Sequence, residues 1–399
     1  MRKRVLSCIL VSGLAVMLLF AGCGKDQSGT AEGSAAADEG TAGAVSMSGD
    51  ADSSAESETE GDASGTTDGT AITGSIEDVH ESETKTLTIT ATGDCTLGVT
   101  QDQSYDGSFN AYYDSYGEDY FFNGVRDIFE ADDMTIINLE CVLSTATERV
   151  EKTFNLKGSP EYVGIMTGSS VEACSMGNNH TYDYGEEGFQ ETKSVLEEAG
   201  IAYAYSEQSG MYTTEDGVKV GIVSASLLSQ SEEKLENMQS QIAELREEGA
   251  EVVIACCHWG IEKDYYPNDY QQTTAHTLID AGADLIIGNH PHVLQGVEVY
   301  EGKVICYSLG NFCFGGNKNP SDKNTMIYQQ TFTIVDGEVQ TDAIDAEIIP
   351  CRLSTASSYN DYQPTVASGD TKQNIISLVN EYSSALGSVS FDSEGNLLE

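Results

Sequence analysis

Five apolar runs in this 399-residue chain end on groups that can do chemistry. The first runs into Thr92-Gly93-Asp94, and the second ends in Asn138-Leu139-Glu140. The third ends in Gly177-Asn178-Asn179-His180, with Asp183 and Gly185 just beyond. The fourth closes on His258-Trp259-Gly260 and the fifth on Gly288-Asn289-His290-Pro291-His292. Carboxylate, amide and imidazole thus recur at the same end of successive runs. In open α/β sheets, the carboxyl ends of the strands are where ligands bind. Of the five His residues after Thr86, only His276 falls inside a predicted helix instead.

The donor set is mixed oxygen and nitrogen, without thiolate. It suits Mn, Fe, Zn or Mg better than a Cys-only zinc site. His290 and His292 are two apart. Pro291 is expected to push His290 toward an extended backbone. Side chains at i and i+2 of an extended segment share a face, so both imidazoles would reach one centre. A carboxylate such as Glu140 can bridge two ions. Two ions about 3.5–4 Å apart clamp the attacking and leaving oxygens of a phosphoryl transfer.

Taken singly, each fragment has a plainer reading. A Gly-Asp pair is usually a turn, Asn-His a loop or helix cap, and His258 beside Trp259 a packed core histidine. Their shared placement is what favours a metal site. Ser231-Glu232-Glu233-Lys234 has the spacing of a Ser-x-x-Lys nucleophile motif but lacks the companion Ser-Asp-Asn and Lys-Thr-Gly. It is read as chance. Cys257 and His258 are strand neighbours that point to opposite faces, which argues against a thiol nucleophile.

The elements that must position these residues alternate in type. Strands are predicted over Leu87–Ala91, Met134–Ile137, Val171–Met176, Val218–Ser224, Glu251–Cys257 and Asp284–Ile287. Helices are predicted near 120–131, 186–199, 231–248 and 268–281, with Gly200 and Gly282 as stops. Such alternation implies parallel βαβ units and an α/β fold. Lys303–Ser308, Met326–Val335 and Glu338–Ile349 read as further strands without intervening helices. They are expected as antiparallel additions or a second sheet.

The chain carries 65 acidic and 19 basic residues, a formal charge of −46. Nucleic-acid binders need a basic face, so that class is excluded. Arg2, Lys3 and Arg4 precede an apolar run from Val5 to Phe20. The run is short for a membrane span and suits an export signal. Phe20-Ala21-Gly22-Cys23 reads as a lipoprotein box, with Cys23 the residue to be lipidated. Residues 1–23 are therefore expected to be a signal peptide, and the mature chain an extracytoplasmic protein lipid-anchored to the outer face of the cell membrane. Residues 24–85 are Gly, Ser, Ala, Thr and acids, and read as a disordered tether. Residues 86–399 form one domain. Because 15 acidic and 5 basic residues lie before Thr86, this domain carries about −36. Its eight cysteines show no CxxC and sit mostly in apolar runs. They read as reduced, buried thiols.

The fragments together resemble the bacterial capsule synthesis CapA family, the poly-γ-glutamate biosynthesis proteins, a branch of the calcineurin-like metallophosphatases. The matching stretches are Gly93–Gly98, Asn138–Glu140, Gly177–His180 with Asp183 and Gly185, His258–Gly260, Gly288–His292 and Ser308–Phe312. They cover about Thr86 to Phe314. The resemblance implies an α/β/β/α sandwich of two mixed sheets flanked by helices, with a site for two divalent ions (Mn, Fe or Zn) at the sheet edges. It implies Asp94, Glu140, Asn179, His258, His290 and His292 as metal ligands, with Glu140 bridging. His180 would face the substrate and protonate the leaving oxygen or stabilise its charge. Asp183 would orient His180. The wider phosphatase pattern is not fully kept. Asp94 is followed by Cys95-Thr96 where that pattern has Asp-x-His, the bridging position is Glu rather than Asp, and Thr181 follows the Asn-His pair. These departures leave open a weaker second ion or a single one.

The leading expectation is a role in making or exporting poly-γ-glutamate or another anionic surface polymer, with polymer synthase subunits as partners, by metal-dependent phosphoester hydrolysis. The alternatives are a non-catalytic scaffold or polymer-handling subunit of a capsule complex, and a solute-binding lipoprotein. A domain near −36 would repel an acidic polymer, so bound ions or a local basic patch would have to offset that charge.

Overall fold

The computed structural model describes residues 82–387 and 389–398. The export signal, Cys23 and the tether up to Glu81 lie outside the described residues. The first strand, β1 (Thr84–Thr96), already begins within the last residues assigned to the tether.

Two mixed sheets form the body. The first is nine-stranded. Its centre is β1, β2 (Met134–Leu139), β3 (Ala173–Ser175) and β4 (Ala202–Ala204), all parallel. The second is six-stranded. It contains β5 (Gly210–Thr213), β6 (Lys219–Leu227), β7 (Val252–Trp259), β8 (Leu285–Asn289), β9 (Val297–Tyr300) and β10 (Lys303–Cys306). Within it, β6, β7, β8 and β10 run parallel, with β5 and β9 antiparallel at the edges. The chain then returns to the first sheet. There β11 (Asn311–Phe314) pairs parallel with the end of β1, and β12 (Asn324–Val335) pairs antiparallel along it. β13 (Asp345–Arg352) adds antiparallel to β12. The six strands predicted in the alternating part are thus divided three and three between the two sheets. Of the three further ones, that over 303–308 joins the second sheet, parallel to β8 rather than only antiparallel, and the others extend the first sheet antiparallel.

The layers follow from side-chain alternation. Val252, Ile254 and Cys256 of β7 join Leu87, Ile89, Met134 and Tyr328 in the core between the sheets. Val253, Ala255 and Cys257 face the other way, onto Met238, Ile242 and Leu278 of two helices. A strand buried on both faces must be apolar throughout, which is why this run lacks the usual alternation. The outer face of the first sheet, including Ile137, Cys174 and Ile327, packs on Phe109, Ile165, Phe189 and Leu196. The result is a helix–sheet–sheet–helix sandwich.

The principal helices are α1 (Phe109–Tyr116), α2 (Gly185–Ala199), α3 (Glu232–Glu247), α4 (Asp269–Asp280) and α5 (Gly369–Ser383). Local chemistry sets their ends. Gly200 closes α2 in the left-handed region, at φ 75°. Asn268 and Gln271 form a capping box at α4. Ser231 accepts the Lys234 N–H and caps α3, which accounts for the Ser-x-x-Lys spacing. One predicted helix is corrected. Residues 120–131 fold as two single turns, Glu118–Tyr120 and Arg126–Phe129, because Phe121, Phe122 and Val125 are drawn into the core. The helices over 109–116 and 369–383 were not anticipated. The eight described cysteines are all buried and unpaired.

Where β1 nears its end, its register against β2 shifts between Ala91 and Asp94. The bend lets Asp94 donate its backbone N–H to Gly310 at 2.9 Å. Gly93 makes this approach feasible, since a Cβ there would lie 1.8 Å from the Gly310 carbonyl oxygen. Gly93→Ala must therefore push β11 away from β1. It is expected to lower unfolding free energy by roughly 3 kcal/mol or more, as strained core substitutions do. Urea denaturation would show it, and an unchanged midpoint would contradict this account of the β1–β11 contact.

Candidate metal centre

The two sheets contribute different chemistry to one edge. The first sheet brings carboxylates: Asp94 from β1, and Glu140 just after β2. The second brings imidazoles: His258 from β7, and His290 and His292 from the turn after β8. Asp94 and Glu140 are 0% and 1% exposed. Removing two carboxylates from water is costly unless opposite charge compensates them.

Donor atoms of Asp94, Glu140 and His292 all lie within 4.8 Å of one another, a group able to hold a metal ion. Asp94 Oδ2 and His292 Nδ1 are 2.9 Å apart. Yet neither atom has a hydrogen-bond partner, and Glu140 Oε2 is also without one. The contact is at ion-pair distance without the directional geometry of a hydrogen bond. Two ligands at right angles on one ion, each about 2.1 Å from it, stand about 3 Å apart, so the spacing fits a shared cation. Glu140 Oε1 sits 3.8 Å from Nε2 of His180, of His258 and of His292. Glu140 is thus the hub of the cluster.

The remaining predicted ligands surround this group. Asn179 is exposed, but its Oδ1 lies 2.8 Å from His258 Nε2, so these two atoms satisfy one another. The His290 ring is 4.8 Å from that of His258 and 5.7 Å from that of His292, centre to centre. Its Nδ1 is buried without a partner. The extended backbone expected at His290 is corrected. His290 and His292 have φ of 96° and 57°. The segment bends sharply, held in part by the His290 N–H donating to Asp94 Oδ1 at 3.3 Å. Both rings reach the cluster through that bend. Positive φ at non-glycine residues costs free energy and persists only where surroundings enforce it.

Electrostatics follow from burial. Burial, then the nearby Asp94 charge, holds Glu140 well above the usual carboxylate range. Burial alone would lower His292, but Glu140 and Asp94 outweigh it and lift the imidazole to about 10. His258 is pushed well below its ordinary value, by burial first and then by its imidazole neighbours. His290 falls to about 4, through burial and then His292. The pocket thus keeps positive charge next to the carboxylates and excludes it elsewhere.

His180 stands on the other side of Glu140. Its Nδ1 is 2.7 Å from Asp183 Oδ2. Asp183 is buried and also accepts from Lys152 Nζ at 2.6 Å and from the Leu156 N–H. With Asp183 on Nδ1, His180 turns Nε2 toward Glu140. Burial lowers the His180 pKa, against the pull of Asp183. Lys152 was not foreseen, since it lies in a loop with no motif around it. Nor was the role of Asn138. Its Nδ2 donates to Asp94 Oδ1 at 2.8 Å, and its Oδ1 accepts from Ser175 Oγ and Asn178 Nδ2. Its place two residues before Glu140, facing the same side of the strand, was the available signal. His276 lies apart, paired with Glu298 at 2.9 Å and stacked on Tyr300.

A cavity of about 450 Å³ opens over the cluster. Glu140, His180 and His292 form its floor, and Phe154, Phe314 and Lys263 are among its walls.

A family model described as "Bacterial capsule synthesis protein PGA_cap" matches residues 88–316. The "PGA biosynthesis protein CapA" of Bacillus subtilis (strain 168) is 33% identical over 219 residues, 50% of this chain and 57% of that protein. The "Capsule biosynthesis protein CapA" of Bacillus anthracis is 30% identical over 223 residues, 50% of this chain and 54% of that one. The chain thus spans little more than half the length of the curated relatives it matches. Among solved structures, a phosphatase from Mycoplasma pneumoniae aligns with 70% of this chain and 96% of its own, at 11% identity and a TM-score of 0.41.

Asn138 fixes one oxygen of Asp94 and leaves the other free for an ion. Removing such a support typically costs about 10–100-fold in metal affinity. Asn138→Ala is expected to do so while the fold persists, as read by chelator competition and circular dichroism. Unchanged affinity would show that Asp94 is held adequately by the backbone alone.

Proposed function

The chain belongs to the bacterial capsule synthesis protein PGA_cap family, and from that premise we propose that it acts in making or exporting an anionic surface polymer such as poly-γ-glutamate. Its chemical step is metal-dependent hydrolysis of a phosphoester. The observation that carries the reading is the set of buried, unpartnered donors: Asp94 Oδ2, Glu140 Oε2 and His292 Nδ1. Residues so placed fit a divalent cation, and among the described residues no Lys or Arg pairs with either carboxylate.

Asp94, Glu140 and His292 would hold a first ion. Asn179, His258 and His290, with Glu140 shared, would hold a second, once Asn179 and His258 release one another. Bound ions supply positive charge for the oxygens of a phosphoryl group and for its attacking nucleophile. The protein's own residues do the rest. His180 faces the cavity beside Glu140; as the imidazolium, with Nδ1–H donated to Asp183, it would give its Nε2 proton to the leaving oxygen. Asp183 fixes the tautomer by accepting a hydrogen bond from Nδ1–H. Lys152 donates to Asp183 and holds it in place. Phe154 and Phe314 narrow the mouth of the cavity and limit water.

The reading also includes location. The basic and apolar leader and Cys23 support export and lipid anchoring. The acidic tether would then hold the domain away from the membrane, where polymer synthase subunits could meet it.

Metal content decides between this reading and a scaffold. The full chain, stripped with chelator, resupplied with manganese or zinc and dialysed, is expected to retain divalent ions by mass spectrometry. His292→Ala should lose them. Hydrolysis of an aryl phosphate should require the ion. His180→Ala should slow it about 10²–10⁴-fold, the range for general acid catalysis, with the ion still bound. Protein that stays folded but takes up no ion would refute the hydrolytic reading.

A further inference from the structure

The cavity over Glu140 and His292 shares a wall, Asn319 to Asp322, with a second cavity of about 480 Å³. The second cavity is lined by Lys323 and Arg352. Two cations side by side are unexpected in a domain with 14 basic and 50 acidic residues. Lys323 is only 4% exposed, and its Nζ donates to the Tyr359 carbonyl at 3.0 Å. Arg352 donates from Nη1 to Asn324 Oδ1 at 2.6 Å. Neither forms an ion pair with a carboxylate among the described residues. Burial, and then repulsion from Arg352, lowers the Lys323 pKa.

Two carboxylates are near, Asp322 in the shared wall and Asp361, and neither lies within ion-pair distance of Lys323 or Arg352. Asp322 accepts from the Asn324 N–H at 2.9 Å and from the Tyr265 hydroxyl at 3.1 Å. Asp361, whose charge also reaches Lys323, accepts from the backbone and hydroxyl of Thr355. Placing two like charges together in a half-enclosed cavity is unfavourable unless an anion joins them. Arg352 is already oriented by Asn324 and keeps its other guanidinium N–H groups free. That is a prepared fork for a carboxylate.

We infer that this second cavity is an anion subsite, in which Arg352 and Lys323 take a side-chain carboxylate of an acidic polymer whose reacting end lies over Glu140 and His292. The position of that reacting end rests on the reading in the preceding subsection; the cation pair does not. The subsite supplies the local positive charge that an acidic domain needs in order to hold an acidic chain.

The test uses the full chain and a short, fluorescently labelled γ-linked glutamate oligomer. Anisotropy is read with manganese and again with chelator. Arg352→Gln is expected to weaken binding by about tenfold or more, as loss of a charge-assisted contact does. Ser357→Glu puts an acid on an exposed lining position and should weaken it similarly without touching the core. The same γ-linked oligomer with its pendant α-carboxylates converted to amides should not compete. Binding that both variants leave unchanged, or no binding by the natural sequence, overturns the subsite. Oligomer binding that falls with both variants, in protein that retains no metal, supports the subsite while removing the hydrolytic reading. Retained metal and phosphoester hydrolysis, with binding indifferent to both variants, overturns the subsite alone.

Discussion

Everything at the sheet edge depends on burying two carboxylates side by side. Asp94 and Glu140 are almost wholly removed from water. The penalty for two such charges reaches several kcal/mol per ion even after relaxation. No Lys or Arg pairs with either one among the described residues. Compensation falls to His292, whose imidazole pKa the two carboxylates lift far above its ordinary value, and to amide dipoles such as Asn138. A cation shared by their free lone pairs would relieve the same strain more fully. The strained bend through His290 and His292 fits that view, since it spends backbone energy to bring imidazoles to the acids.

The division of donors between sheets gives this centre a second consequence. Carboxylates come from the first sheet and most imidazoles from the second. The apolar layer between the sheets holds them in register through residues such as Ile89, Ile254 and Ile287. A ligand bound at the edge would therefore also tie the two sheets together. The reverse holds as well: small shifts of one sheet against the other would separate oxygen from nitrogen donors. The close approach of Gly93 to Gly310 limits such shifts on the side of Asp94.

Much of this was legible in the sequence, for physical reasons that also explain the gaps. Fully buried parallel strands must be continuous apolar runs, so β2, β6, β7 and β8 stood out. Because polar groups cannot remain inside such strands, their appearance at the ends marked the edge of the site. Which run joins which sheet was not readable from the residues, since both sheets use the same pattern. The bend at His290 escaped because the usual preference before proline was overridden by a tertiary hydrogen bond from its backbone to Asp94. Lys152 escaped because long-range pairing of a loop lysine with Asp183 leaves no local trace. The helix over 109–116 is only eight residues and is fixed by packing of Phe109 on Phe121 and Tyr162.

The strong acidity of the domain bears on function less than its total suggests. At physiological ionic strength the screening length is about 8 Å. Charges on the far side of the molecule are therefore nearly silent at the cavity mouth. What an approaching anion meets is the local set: Glu262 and Lys263 at the inner cavity, Lys323 and Arg352 at the outer one, and Asp322 in the wall between them. A cation pair inside a half-enclosed wall works in a lower dielectric than the exposed acids around it, and each of its contacts is worth correspondingly more. The surrounding negative field still slows the arrival of an acidic chain and opposes its unspecific adhesion. An anionic polymer would thus be held only where a segment threads the groove, and would not coat the surface. Under the proposed role, repulsion everywhere except at the groove would be a workable arrangement, because release needs only the loss of a few local contacts.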